Sequence, residues 1–238
     1  MGASDKSILF AGITDDLFAK ADLSSPPQRA VWKELKATPK QFVLYGGTAL
    51  ALRLGHRISE DFDFFTNATF APHDLLKQIP YLLGAKVSLS RENTLTCVLD
   101  RGGPVPVSFF GGLRLKRVAN PDVAIESGVQ VASLLDVAGC KMAVVQKRAE
   151  GKDYRDIIAL IENGISLPKA LAAAKAIYGQ QFDPRTTLRA LSYFGDGDLP
   201  KLPAPTQNAL RSAATSVRLE ELPVLVGRRD LAPKGKER

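Results

Sequence analysis

The stretch Gln41–Thr66, QFVLYGGTALALRLGHRISEDFDFFT, decides how the rest of the chain is read. An apolar run, Phe42-Val43-Leu44-Tyr45, stops at the glycine pair Gly46-Gly47, and a short apolar segment opens at Thr48. The pattern predicts a strand, a turn open to a phosphate, a helix, a loop and a second strand, Asp61-Phe62-Asp63-Phe64-Phe65. Side chains alternate along a strand, so Asp61 and Asp63 project from one face and Phe62 and Phe64 from the other. Two carboxylates aimed the same way beside a glycine turn suggest a divalent metal holding a polyphosphate. Mg2+ prefers hard oxygen ligands and commonly takes one or two carboxylates together with substrate phosphates and water. A lone DxD is a weak signal, because solvent-facing strands carry acids for solubility; here the phenylalanines bury the opposite face and fix the direction of the acids. Backbone N–H groups of Gly46, Gly47 and Thr48 would meet the phosphates at a helix N-terminus, where the dipole favours anions. The same three residues would also build an ordinary strand-to-helix turn capped by Thr48.

Composition bounds what surrounds this stretch. With 238 residues, 45% of them hydrophobic, the chain can bury a real core in one large domain or two smaller ones. No apolar run approaches the roughly 20 residues of a membrane span, and the N-terminus lacks the pattern of a signal peptide, so the expected location is cytoplasmic, with no membrane partner. Two distant cysteines, Cys97 and Cys140, argue against a disulfide framework or a cysteine zinc site. Two histidines, His56 and His73, exclude an HExxH zinc site, and no GxxxxGK[ST] loop occurs. The formal net charge of +7 favours polyanionic partners such as nucleotides or RNA, although a basic surface also serves solubility.

Around the central stretch the expected class is α+β: a mixed sheet flanked by helices, then a helical C-terminal half. Residues 8–21 read as a helical lead-in, 28–37 as a second helix and 72–83 as a third that starts on Pro72. From Lys86 the period becomes two: three alternating strands separated by Arg91-Glu92-Asn93 and Arg101-Gly102-Gly103-Pro104 predict an antiparallel meander. Pro106 suits an edge or a strand start. Beyond Asp122 the apolar spacing turns helical, with one helix from Val131 to about Arg148 and another from Lys152 to Glu162. Residues 168–178, 184–194 and 206–219 are further helices. The expected domains are a core over 1–125, a helical domain over 126–226 that completes a cleft, and a basic mobile tail over 227–238.

Other side chains are candidates for chemistry. Between the turn and the acids stand Arg53, His56, Arg57 and Ser59; Arg57 suits a phosphate contact, yet such residues commonly pack or cap a loop. Lys141 and Arg148 are two helical turns apart on one edge of an apolar stripe. There they either snorkel to water or reach into a cleft to meet phosphate. Asp153 and Asp156 share a face of the next helix, where acids ordinarily offset the dipole.

Gly46-Gly47-Thr48-Ala49-Leu50, then Gly55-His56-Arg57-Ile58-Ser59, then Asp61-Phe62-Asp63-Phe64-Phe65 resemble the signature of AbiEii/AbiGii-type nucleotidyltransferases, a toxin branch of the DNA polymerase beta superfamily. Lys141 to Arg148 followed by Lys152-Asp153-Tyr154-Arg155-Asp156 resembles the family's later helical motif. The likeness covers about residues 41–160. It implies a metal-dependent transfer of NMP from an NTP to an acceptor hydroxyl, with Asp61 and Asp63 as ligands of Mg2+ or Mn2+. It further implies Gly46, Gly47, Thr48, Arg57, Ser59 and Arg148 at the nucleotide, Lys141 as a phosphate contact, and Asp153 or Asp156 completing the catalytic set. Implied partners are the NTP, an acceptor such as tRNA, another RNA or a protein, and a cognate antitoxin of a type IV toxin–antitoxin or phage-defence system. One departure is that Ser108 stands where the wider superfamily often places a third carboxylate, and a neutral hydroxyl cannot replace a carboxylate base. Asp100, Asp153 or Asp156 substitutes, or one metal serves, or transfer is slow or lost. Two other readings follow: a non-catalytic nucleotide- or RNA-binding homologue, and an enzyme acting on a small molecule such as an antibiotic.

Overall fold

The computed structural model describes residues 25–233; the expected lead-in helix at 8–21 lies outside them. Ser25 caps the first helix, α1 (Pro26–Glu34), by accepting from the Gln28 amide at 3.3 Å, and a 3-10 turn continues it to Ala37. Then follow β1 (Val43–Tyr45), α2 (Gly46–Leu54), β2 (Phe62–Phe65) and α3 (Pro72–Gln78). The meander is β3 (Lys86–Arg91), β4 (Thr94–Asp100) and β5 (Pro104–Phe110), followed by the short strands β6 (Asp122–Val123) and β7 (Gln130–Val131). The helical half comprises α4 (Leu134–Val144), α5 (Gly151–Glu162), α6 (Leu167–Tyr178), α7 (Pro184–Ala190) and α8 (Ala204–Thr215).

All seven strands join one mixed sheet in the order β3-β4-β5-β2-β1-β7-β6, and the α+β expectation holds. β2 runs antiparallel to β1 and parallel to β5, which sets Tyr45 opposite Asp63 and Asp63 opposite Ser108. One face of these strands is apolar core: Trp32 of α1 stacks on Phe62 with ring centroids 6.3 Å apart, and Phe42 and Phe64 close on Phe109. The other face carries Tyr45, Asp63, Phe65, Pro106, Ser108 and Phe110 and looks toward α4 and α6, as strand alternation requires. Gly139 lets α4 approach α6 closely: a Cβ there would stand 2.9 Å from the Ala174 amide nitrogen.

Several expectations need correction. The third helix stops at Gln78, because Pro80 holds Ile79 extended, and a 3-10 turn replaces its end. Pro106 lies in an interior strand, yet pairing of β5 with β2 begins only at Val107–Phe62, so no partner stands on that flank to miss its N–H. Val131 belongs to β7, not to a helix; it pairs beside Leu44, and α4 starts after Ser133, whose hydroxyl accepts from the Asp136 amide at 3.0 Å. The sheet therefore runs past residue 125, and buried residues of both halves form one hydrophobic cluster. Helix α7 ends at Ala190 and α8 at Thr215, each earlier than expected. Residues 227–233 are not a loose tail. Arg117 is buried and spends its guanidinium on the carbonyls of Arg229 and Asp230, Arg228 bridges Arg117, and Leu231 is buried. Among the described residues no single helix is long and apolar enough to cross a membrane.

Candidate active site

β1 ends where Gly46 turns the chain into α2. Its φ of +76° is a left-handed conformation that a side chain would strain. A Cβ on Gly46 would also stand 2.7 Å from Asp63 Oδ2. At Gly47 a Cβ would meet Arg57 Nη2 and Ser59 Oγ, each at 2.6 Å. The glycine pair therefore lets an acid, a guanidinium and a hydroxyl lie directly against the N-terminus of α2, where unpaired amides face outward. Thr48 is buried beneath this turn, and its hydroxyl donates to the Asp61 carbonyl; it fixes the loop before β2 and does not face the cleft. Ser59 Oγ donates to Asp61 Oδ1 at 3.3 Å, and Gln28 of α1 holds the Ser59 carbonyl from below.

Asp61 stands one residue ahead of β2 and Asp63 within it, both on the wall of a cleft of about 830 Å3. Burial, and then the Asp61 charge, push the Asp63 carboxyl up to about 6. Across the cleft Lys141, Lys147, Arg148 and Lys152 supply positive charge, while Val137, Cys140 and Tyr178 supply an apolar flank.

Behind those cations lies a buried ion network. Asp153 and Asp156 are each 0% exposed. Lys141 Nζ reaches Asp153 Oδ1 at 2.7 Å and Asp156 Oδ2 at 2.6 Å. Arg148 clasps Asp153 with Nε at 2.8 Å and Nη2 at 3.1 Å. Arg57 clasps Asp156 with Nε at 2.6 Å and Nη2 at 2.9 Å, and His56 Nε2 lies 2.7 Å from Oδ1 of the same acid. Burial alone would raise the Asp156 carboxyl, but hydrogen bonds from His56 and Arg57 hold it well below the usual range. Asp153 is likewise lowered, its burial outweighed by Arg148 and Lys141.

This geometry sorts the expected site residues. Gly46, Gly47, Arg57, Ser59, Asp61, Asp63, Lys141 and Arg148 meet in one cleft. Asp153 and Asp156 do not line it; they stand behind it, paired with Lys141, Arg148 and Arg57, which do. Asp100 accepts from the Gly102 and Gly103 amides in the β4–β5 hairpin and is also elsewhere. Ser108 lies beside Asp63 in register, as its alignment with a third carboxylate requires. Arg53 is spent on Asp122 at 2.8 Å and on the carbonyls of Val131 and Ala132, away from the cleft.

Unforeseen in the sequence were the aromatic wall of Tyr45, Phe65, Phe110 and Tyr178, and the basic Lys147 and Lys152. Phe65 was legible by alternation from Asp63, whereas Tyr178 arrives from α6 and gave no local signal.

The donor set fits a hard divalent ion. Asp61 and Asp63 both line the cleft, so an ion held by them would be open to phosphate oxygens. The Asp63 carboxyl is raised first by burial and then by the Asp61 charge, and a bound cation would relieve that cost of ionisation. Gly46 leaves open the space in front of Asp63 that a Cβ would fill.

A sequence model described as "Nucleotidyl transferase AbiEii toxin, Type IV TA system" matches residues 33–223. An uncharacterised protein of Aquifex aeolicus (strain VF5) is 32% identical over 158 residues, which span 65% of this chain and 74% of that protein. The nucleotidyltransferase toxin MenT4 of Mycobacterium tuberculosis superposes with a TM-score of 0.57 at 15% identity, covering 86% of this chain and 89% of its own. A candidate nucleotidyltransferase of H. pylori gives 0.53 at 18% identity, covering 83% and 95% respectively. At such identities the two structures establish a shared nucleotidyltransferase-like fold.

Proposed function

Starting from the premise that this chain belongs to the AbiEii nucleotidyltransferase toxin family, we propose that it transfers NMP from an NTP to an acceptor hydroxyl. The observation that carries this reading is the abutment of Asp63 on Gly46 at the N-terminus of α2, in a cleft faced by Lys141 and Arg148. The amides of Gly46 and Gly47 bind the β- and γ-phosphates, helped by the helix dipole. Lys141, Arg148 and Arg57, held in place by the buried acids, offset the phosphate charge. Asp61 and Asp63 would hold Mg2+ or Mn2+, which when bound supplies charge neutralisation at the phosphoryl oxygens. The acceptor oxygen bonds to the α-phosphorus as the bond from that phosphorus to the bridging oxygen of the β-phosphate breaks. Pyrophosphate leaves, and the hydroxyl proton passes to water in the open cleft. Such transfer depends on positioning and electrostatics more than on covalent help from the protein.

The acceptor proposed is an RNA such as tRNA, in the cytoplasm; a net charge of +7 supports a polyanionic partner. The toxin family supports a further proposal, that a cognate antitoxin restrains it. Incubation with each labelled NTP, Mg2+ and total tRNA tests the reading. Transfer of label that Asp61→Ala or Asp63→Ala abolishes is the expected result. Intact NTP binding without transfer to any acceptor would sink it and leave the second reading, a nucleotide-binding homologue without chemistry, which Ser108 beside Asp63 favours.

A further inference from the structure

A second cavity, of about 410 Å3, opens from the aromatic end of the cleft. The two share Phe65, Phe110, Lys147 and Tyr178, and the annex adds Leu113, Arg114, Leu115 and Gln181. We infer that this annex receives the base of the donor nucleotide, and that Arg114 and Gln181 on its rim read the edge of that base.

The inference rests on the proposed transfer reaction, and the strand order supplies its geometry. Gly46 follows β1, Asp63 lies on β2 and Ser108 on β5, and these strands are adjacent. In an in-line displacement the leaving and entering oxygens stand on opposite sides of phosphorus. With pyrophosphate at the Gly46-Gly47 turn and phosphorus at Asp61 and Asp63, the acceptor hydroxyl approaches from the Ser108 side. That line crosses the strands. The 5′-oxygen of the donor is equatorial, so the nucleoside leaves perpendicular to the line, along the strands. Two residues further on, about 7 Å at the strand rise, Phe65 and Phe110 stand side by side in register.

The annex has the chemistry of a base site. Phe65 and Phe110 are perpendicular with centroids 5.6 Å apart, and Tyr45 stacks on the far side of Phe65 at 5.0 Å. Tyr178 of α6 completes the apolar wall. Arg114 and Lys147 offer donors, and the Gln181 amide offers both a donor and an acceptor, the complement of a heterocycle edge. The wall is also braced. Asn67 donates to the carbonyls of Leu113 at 2.6 Å and Leu115 at 2.9 Å, and the Lys116 amide donates to the Ile177 carbonyl at 3.2 Å. The docked C-terminal segment closes the arrangement through the Leu231 amide, which donates to Asn67 Oδ1.

Calorimetric titration of the full chain with each NTP and with inorganic tripolyphosphate, in Mg2+, tests this. Base stacking should make the preferred NTP bind about five- to a hundredfold tighter than tripolyphosphate. Gln181→Trp and Arg114→Ala alter exposed side chains outside the core. At least one should change NTP affinity or the ranking among the four NTPs by about fivefold, with tripolyphosphate affinity unchanged. Equal affinity for NTP and tripolyphosphate in the wild type would overturn the inference. So would NTP binding unaltered in both variants, or an effect confined to RNA binding, which would make the annex an acceptor site. Base-dependent binding without label transfer would leave the annex standing while the transfer reaction falls.

Discussion

Asp63 holds a stability cost that its substitution should release. Burial and the adjacent Asp61 raise its carboxyl from an ordinary 3.8 to about 6. Because the folded state binds the proton more tightly than the unfolded chain, ionising Asp63 destabilises the metal-free fold. The penalty is absent below the unfolded value of 3.8, grows as pH rises between 3.8 and 6, and is complete above about 6. At neutral pH that shift corresponds to about 3 kcal/mol. Asp63→Asn removes the charge at nearly constant shape, so the metal-free variant should melt higher than wild type by about 6–12 °C near pH 7. Most of the gain should vanish at about pH 4, where Asp63 is protonated in the wild type as well. Mg2+ should raise the melting temperature of the wild type and narrow the gap while leaving the variant unmoved. Differential scanning calorimetry of both proteins across pH measures all three effects. A variant no more stable than wild type at neutral pH, or one whose advantage persists undiminished in acid, would refute the argument that the two acids repel one another in a half-buried site.

Asp156→Ala should cost about 3–5 kcal/mol, because it leaves Arg57 without its buried counter-charge and Lys141 with Asp153 alone; chemical denaturation reads the loss. The same network predicts acid sensitivity. Asp153 and Asp156 are depressed below the usual carboxylate value of 3.8, so their contribution is fully present above it and is lost as pH falls below, which a pH series of unfolding midpoints would show. Gly46→Ala combines left-handed strain of about 1–2 kcal/mol with a Cβ at 2.7 Å from Asp63, and should abolish Mg2+-dependent stabilisation, seen by thermal shift. Thr48→Val removes the hydroxyl that holds the Asp61 carbonyl, costing about 1 kcal/mol; activity should fall further than stability if that bond sets the carboxylate's aim.

Much of the fold was legible in the chain because it rests on local rules. The period of two from Lys86 to Phe110 gave the meander, and Pro72 opens its helix as its backbone chemistry requires. Two of the misplaced boundaries share one cause: Pro80 and the short strand at Val131 interrupt apolar spacing that looks continuous in sequence. In the site, alternation alone set Asp61 and Asp63 on one face, and the glycine pair marked where a side chain would intrude. The Lys141, Arg148, Asp153 and Asp156 motif was visible too, but its meaning was not. Spacing along α5 cannot tell an acid that lines the cleft from one buried behind it; the contacts of Asp156 with Arg57 and His56, about a hundred residues earlier in the chain, set its place. The aromatic annex depends likewise on α6 delivering Tyr178 over β2 and β5, and on Asn67 and the C-terminal segment bracing its loop. Backbone period and steric exclusion act between neighbours in the chain, so the sequence by itself determined the turn, the acids and their direction. Ion pairing and cavity shape act between neighbours in space, so only the tertiary structure decided which charges are free to meet a phosphate and where a base would lie.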